Sequence, residues 1–304
     1  MMTMNKYHIP VLLNESVRAL KIDPEGTYVD LTYGGGSHSR EILKHLSQNG
    51  RLIAFDQDED ADEQKIIDDR FTFHAANFKF LRRFLKFEAI HQVDGILADL
   101  GISSHQIDQP QRGFSIRYDA RLDMRMDQAQ EFDACELINT YDEQALTRVF
   151  KEYGELRAAG KIAKTIVQNR QQEKIVTTTQ LNKLLMTFFS ETNKNKLLAM
   201  AYQALRIEVN QEMEALKSML SQASEMLKTG GRLCVISYHS LEDRLVKRFF
   251  KNGNFGKEQH KDFYGRSLNP LKHVGKLILP DEEEIKNNNR ARSARMRIAE
   301  KVDL

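Results

Sequence analysis

Cysteine is scarce in this chain. Cys135 and Cys234 are the only two, too few for a disulfide framework, which fits a reducing compartment. No apolar run approaches the roughly 20 residues that a membrane span requires. The start, MMTMNKYHIPVLL, lacks a charged segment followed by a full apolar core, so no signal peptide is expected and the expected location is cytoplasmic. An excess of one charge is missing too: 45 Lys and Arg stand against 43 Asp and Glu, and a net +2 says little about partners. There is no metal-ligand spacing and no nucleophile elbow, so no metal is expected.

What is present is a folded composition, 41% hydrophobic and 29% charged over 304 residues, long enough for one large domain or two ordinary ones. The strongest local signal runs from Val29 to Ser39. A short apolar run ends in Asp30, passes Gly34, Gly35 and Gly36, and leads into the helical pattern Arg40 to Leu46. Strand, glycine turn and helix open a nucleotide-binding βα unit, because glycine lets backbone approach a bulky ligand. The next strand of such a unit should end in an acid about 20 residues on, placed for ribose hydroxyls. Arg51 to Phe55, closed by Asp56, meets that requirement.

A dinucleotide fingerprint needs a third glycine where this chain has Ser39. Its absence turns the reading from a nicotinamide cofactor toward S-adenosylmethionine, which has no phosphate to cradle. A merely flexible glycine turn is the plainer alternative, and Asp56 argues against it.

Strand-like and helical runs alternate through the first hundred residues: Arg70 to His74, a helix from about Lys79 to Ile90, then Val93 to Asp99. That alternation predicts a parallel, doubly wound sheet with ligands at the carboxyl ends of its strands, where Asp30, Asp56 and Asp99 fall. From 105 to about 127 the chain reads as a charged loop, and from Phe132 to about Ser190 as helices, with a capping box at Thr177 and Gln180. A long helix over 204–227, a Gly230-Gly231 turn and a strand at 232–237 resume the sheet pattern. The expected organisation is one α/β domain, core residues 1–106 and 204–304, interrupted by a helical insertion at 107–203.

Asp99 is the expected catalytic group. Methyl transfer to an exocyclic amine needs a carboxylate that accepts the N–H, localises the nitrogen lone pair and aims it at the methyl donor. A cofactor contact or a cap on the next turn is the alternative role for that acid. A second cluster, Ile236 to Arg244, also sits at a strand end. There Ser240 and Asp243 fit a capping box, His239 could donate to a base or phosphate, and Tyr238, with Phe114, could stack on an extruded base.

Positive charge is gathered rather than absent. Nine Lys or Arg between Arg244 and Lys276 face only Glu258 and Asp262, interleaved with Phe249, Phe250, Phe255, Phe263 and Tyr264. Cations for phosphates and rings for bases suit a nucleic-acid surface; a solvated helix and loop is the competing view. Near the end, Arg290, Arg292, Arg295 and Arg297 can meet phosphates or 2′-hydroxyls, or form a solvated tail.

These residues stand in an order that resembles one family. The matching segments are His8-x-Pro10-Val11-Leu12, Asp30-x-Thr32-x-Gly34-x-Gly36-x-His38-Ser39, and Asp94 to Asp99 with Leu100-Gly101-x-Ser103-Ser104-x-Gln106-x-Asp108. Arg112 to Ser115, Leu122 to Asp127, Tyr153-Gly154-Glu155, Gln203 to Glu212, His239 to Arg244 and Arg290 to Ala294 continue the match. Nearly the whole chain is similar to the bacterial 16S rRNA (cytosine-N4)-methyltransferase family, RsmH or MraW. The resemblance implies a Rossmann-like, class I S-adenosylmethionine-dependent methyltransferase with an inserted helical domain. It implies 16S rRNA of the small ribosomal subunit as partner and the P-site cytidine of the decoding centre as substrate. Cofactor contacts then carry onto Gly34, Gly36, Ser37, His38, Asp56, Phe78, Asp99 and Gln106. Candidate RNA contacts are Arg112, Phe114, Tyr238, His239, Arg244, Arg290, Arg292 and Arg295.

Two positions depart from the family pattern. Ser37 stands where a second glycine is usual, and Met200 stands where the family's His-Pro-Ala-Thr-Arg run ends in arginine. Competing readings are a nicotinamide-dependent oxidoreductase, a non-catalytic RNA-binding protein, and an amino-methyltransferase acting on DNA. The last usually carries Pro-Pro-aromatic after the strand-end acid, and here Leu100-Gly101-Ile102 follows Asp99.

Overall fold

The computed structural model describes residues 10–303, without the side chains of residues 62–64 and 104. His8 of the N-terminal motif lies outside the described residues. The chain forms two compact units, Met1–Gly101 with Glu214–Leu304, and Ile102–Met213. The insertion expected at 107–203 thus has wider bounds, because one helix runs uninterrupted through 203.

In chain order the first unit begins with α1 (Leu13–Leu20), β1 (Thr27–Asp30), α2 (Ser37–His45), β2 (Arg51–Asp56), β3 (Phe71–Ala75), α3 (Leu81–Phe87) and β4 (Val93–Asp99). The second unit holds α4 (Ser104–Asp108), α5 (Ala134–Thr140), α6 (Glu143–Glu152), α7 (Ala159–Arg170), α8 (Thr178–Met186) and α9 (Lys194–Val209). The chain then adds α10 (Glu212–Met226), β5 (Leu227–Ser237), α11 (Ser240–Asn252), β6 (Leu271–Ile278), α12 (Glu282–Asn287) and β7 (Arg295–Lys301).

One seven-stranded sheet, in the order β3-β2-β1-β4-β5-β7-β6, organises the first unit. Its strands run parallel from β3 to β5. Val29, Leu52 to Phe55 and Ile96 to Ala98 are fully buried, as parallel strands covered on both faces must be. Strand order reverses between β1 and β4, which opens a crevice at their carboxyl ends. Strand β7 pairs antiparallel with both β5 and β6, so the sheet is mixed rather than wholly parallel. The arginine-rich segment before it is therefore no solvated tail. Asn289–Ser293 is a short 3-10 turn, and Arg297 lies within β7.

In the second unit, Leu137, Ile138, Leu146, Val149, Phe150, Ile162, Ile166, Leu181, Leu185 and Leu205 form the middle of a separate core. The capping box of α8 forms as read, with Gln180 N donating to Thr177 Oγ1 and Thr177 N to Gln180 Oε1. The single helix expected over 204–227 is instead two, α9 and α10. Gln211 between them takes a left-handed φ of 50°. Asn210 just before it donates to Met124 O at 2.8 Å and accepts from Met126 N at 2.7 Å. A side chain that clamps the 124–126 loop on both sides sets where the helix breaks. Met200 is half-buried against the core of this unit, so apolar packing occupies the position of the family's arginine.

Candidate active site

The residues that leave β1 and β4 are tied to each other by backbone before any side chain contributes. Leu31 N donates to Leu97 O, and Tyr33 N to Phe55 O. Gly36 N then donates to Tyr33 O at 2.7 Å, closing a turn with φ of 51° at Gly34 and 73° at Gly36. A Cβ at Gly36 would stand 2.6 Å from the Tyr33 hydroxyl, so glycine is required there for both conformation and space. At Gly34 and Gly35 a Cβ would meet nothing within 4 Å, which leaves the loop's backbone bare on that side. Helix α2 starts immediately after, with no side chain capping its first N–H groups. Those donors and the helix dipole suit a carboxylate.

Three acids surround this loop. Asp30 is completely buried and accepts from Ser39 Oγ at 2.6 Å and from Thr32 N at 3.1 Å. Ser39, at the position where a dinucleotide fingerprint has its third glycine, is the hydroxyl that holds Asp30. Asp56 accepts from Gly34 N at 2.7 Å and from Asp58 N at 2.9 Å, so the expected ribose acid also fixes the glycine turn. Asp99 accepts from the Tyr238 hydroxyl at 2.8 Å through Oδ1, and its own N–H donates to Thr32 Oγ1 at 2.7 Å. Its side chain keeps 19% of its surface open.

Burial pushes all three carboxyls up, each to about 6. For Asp56 and Asp99, the charge of Asp30 adds to that rise. His38 and the Tyr238 hydroxyl act against it at Asp99. The Tyr238 phenol is itself driven well above its ordinary value, first by burial and then by the charge of Asp99. It therefore stays a donor.

His38 is buried with Nε2 3.1 Å from Val11 O, and Nδ1 3.9 Å from Asp99 Oδ2. A carbonyl only accepts, so Nε2 carries a hydrogen. Nδ1 then faces the carboxylate with a proton if the ring is charged, or with a lone pair if it is neutral. The buried ring lies beside Asp99, while Gly36, Ser37 and His38 make the turn into α2, with Gly36 and His38 buried and Ser37 half-buried. Phe78 opens a short 3-10 turn after β3 and is half-buried, with Asn77 capping it from below.

Other expected site residues are placed differently. Tyr238 is bonded to Asp99 rather than free to stack on a base. His239, not Ser240, is the N-cap of α11: its Nδ1 accepts from Glu242 N, and Glu242 Oε2 accepts from Tyr238 N and His239 N. Its other nitrogen lies 3.1 Å from Glu242 Oε1, which makes it a structural cap rather than an RNA donor. Asp243, the expected partner in that box, instead holds Arg297 through two bonds and Arg295 at 3.6 Å. Arg244, Arg292 and Arg295 are exposed, and Arg290 is half-buried.

Gln106, Arg112 and Phe114 belong to the second unit. Gln106 completes a capping box on α4, its Oε1 accepting from Ser103 N at 3.0 Å. Arg112 is only 3% exposed and donates to the carbonyls of Arg125 and Met126, with its guanidinium over the Phe114 ring. Phe114 is part of the core of that unit. Both are internal struts and not the surface contacts expected. Thr32 and Ser39 were missed as site residues. A serine on the apolar face of α2, nine positions after a strand-end acid, was the available signal.

Residues 5–302 match the family model described as the MraW methylase family. A Flavobacterium johnsoniae protein named ribosomal RNA small subunit methyltransferase H is 58% identical over 302 residues, covering 99% of this chain and 100% of the relative. A Bacteroides fragilis protein of the same name is 52% identical over 296 residues, 97% of each. Among solved structures, an rRNA methylase from Streptococcus thermophilus aligns with a TM-score of 0.41 and 11% identity, over 96% of this chain and 94% of that one.

Proposed function

The chain belongs to the MraW methylase family, and from that premise we propose that it methylates N4 of the P-site cytidine in 16S rRNA. It is an S-adenosylmethionine-dependent methyltransferase of small-subunit rRNA. The observation that carries the finer reading is the acid at the end of β4. Asp99 is desolvated, keeps part of its surface open, and has one oxygen committed to Tyr238.

The residues fit the methyl donor. Bare backbone at Gly34 and Gly35 leaves room for close approach. The uncapped start of α2 at Gly36, Ser37 and His38 suits the donor's carboxylate. Asp56 would take the ribose hydroxyls, and Phe78 would cover a face of the adenine. Three carboxyls raised by burial favour a cationic ligand and disfavour the doubly charged pyrophosphate of a nicotinamide cofactor.

When bound, S-adenosylmethionine supplies a methyl group activated by a sulfonium. Tyr238 fixes Oδ1 of Asp99, which leaves Oδ2 to accept the N4–H of the base. That hydrogen bond localises the nitrogen lone pair for in-line attack. As the N–C bond forms the methyl–sulfur bond of the donor would break, leaving a neutral thioether, and Asp99 would accept the proton released from N4. Arg244, Arg290, Arg292 and Arg295 are the proposed phosphate contacts.

The test is to incubate the protein with labelled donor and small subunits from a strain lacking the activity, then map the labelled nucleotide by mass. Label in N4-methylcytidine at the P-site position is expected. Label on carbon 5, on another nucleotide, or nowhere would overturn the reading.

A further inference from the structure

Between α11 and β6 the chain leaves the sheet as a narrow hairpin whose tip is built by one acid. Lys261 and Ser267 form an antiparallel bridge, and Leu268 N donates to His260 O. At the tip, Asp262 N donates to Arg266 O, Asp262 O accepts from Gly265 N, and Asp262 Oδ1 accepts from both Tyr264 N and Arg266 N. Gly265 supplies the left-handed residue, with φ of 80°. The base is secured as well. Asn252 donates to the carbonyls of Gly256 and Lys257, Asn269 to Phe250 O, and Gln259 to Lys251 O.

This turn needs only Asp262 and Gly265, yet it presents two rings. Phe263 is 97% exposed and Tyr264 82% exposed, their centroids 5.7 Å apart at 87°. The other aromatics of the segment behave differently: Phe249 and Phe250 are buried, and Phe255 stacks on Phe249. Aromatics that read alike in the sequence are thus divided between core and solvent. All nine Lys and Arg from Arg244 to Lys276 are exposed, whereas the carboxylate of Asp262 is absorbed by the turn. Exposed rings on a hydrogen-bonded turn, flanked in sequence by Lys261 and Arg266, have the chemistry of a base-stacking platform.

We propose that Phe263 and Tyr264, with Lys257, Lys261 and Arg266, form a platform that stacks on unpaired bases of the substrate RNA. The inference rests on the RNA-methylating reading above and adds a second element of recognition to it. Single-stranded RNA fits better than duplex, because a duplex hides the base faces that these rings would cover.

The test uses the full-length protein with Phe263 and Tyr264 both changed to Ala, and the probe is a labelled unstructured RNA of about twelve nucleotides. By fluorescence anisotropy the variant should bind roughly tenfold or more weakly, since each stack lost carries that order of affinity. Calorimetric affinity for S-adenosylmethionine should not change. On small subunits KM should rise with kcat retained, and a variant with Phe263→Trp and Tyr264→Phe should restore RNA binding.

Equal RNA affinity in the double-alanine variant would overturn the platform, as would failure of the ring-preserving variant to rescue. So would a wild-type protein that ignores the probe, or a loss confined to phosphatidylserine vesicles, which would mark a membrane contact. A wild type that binds the probe and transfers no methyl group would instead sink the methylation reading and leave the platform standing.

Discussion

Below about pH 6 the carboxyl of Asp99 holds a proton, and a protonated acid is a poor acceptor for an amine N–H. The rate kcat/KM should therefore climb with pH toward about 6 and level off above it, which a pH profile of methyl transfer measures. Changing Asp99 to Ala should cost roughly a hundredfold or more in turnover, while RNA binding by anisotropy survives. Near-normal turnover would remove Asp99 from the reaction. Tyr238 gives a subtler test. Its hydroxyl pulls the Asp99 value down, so Tyr238→Phe should move the acid limb to higher pH and leave a recognisable plateau. An unmoved limb would mean that the bond does not tune the acid.

Ser39 matters at the same scale for stability. Removing its hydroxyl leaves Asp30 Oδ2 buried without that donor, at a cost of about 1–3 kcal/mol. Urea denaturation of Ser39→Ala should show a lower midpoint. Ser39→Gly restores the dinucleotide spacing, and it should not bring NADH binding in calorimetry, because the three acids remain.

At the scale of elements, α11 is joined to β7 by Asp243 and Arg297, both nearly buried. Arg297→Ala would strand a buried carboxylate and should destabilise by about 3–5 kcal/mol, visible as a large drop in melting temperature. An unchanged melt would show that Arg295, 3.6 Å from the same acid, takes over. How legible each element was depends on where its side chains point. Strands β1, β2 and β4 could be read because burial on both faces leaves continuous apolar runs.

Strand β6, LKHVGKLI, hides as polar surface because it lies at the sheet edge with half of its residues exposed and only Leu271 buried. Strand β7 hides because its arginines resemble a basic tail, although one of them is an internal ion pair. The cap of α11 lies one residue before the serine that its sequence pattern offers. Ser240 and Asp243 satisfy the usual pattern, while a histidine in the cap position carries no such signal. The acids of the candidate site were legible from strand ends alone. The hydroxyls that hold them were not, since a serine inside a helix is read as surface until its burial is known.

For the molecule as a whole, three acids with raised values make one pH-dependent contribution. Their unfolded value is near 3.8 and their folded value about 6. Between those limits the folded state binds more protons than the unfolded one, so this contribution to stability falls as pH rises and is level above about 6. Melting temperatures of ligand-free protein across that window should show the decline, and Asp30→Asn should flatten it. A slope unchanged by Asp30→Asn would assign the effect to other groups.

Strand β7 has a consequence in time as well as in space. It fills the slot between β5 and β6, although it is the last strand to be synthesised. Until residues 295–301 leave the ribosome, the edge of β5 stays bare, and Asp243 waits as an unpaired charge beside it. The sheet of this unit therefore completes its pairing only once β7 has been made. A chain that stops short of β7 leaves one edge of β5 and the whole of β6 without a partner strand.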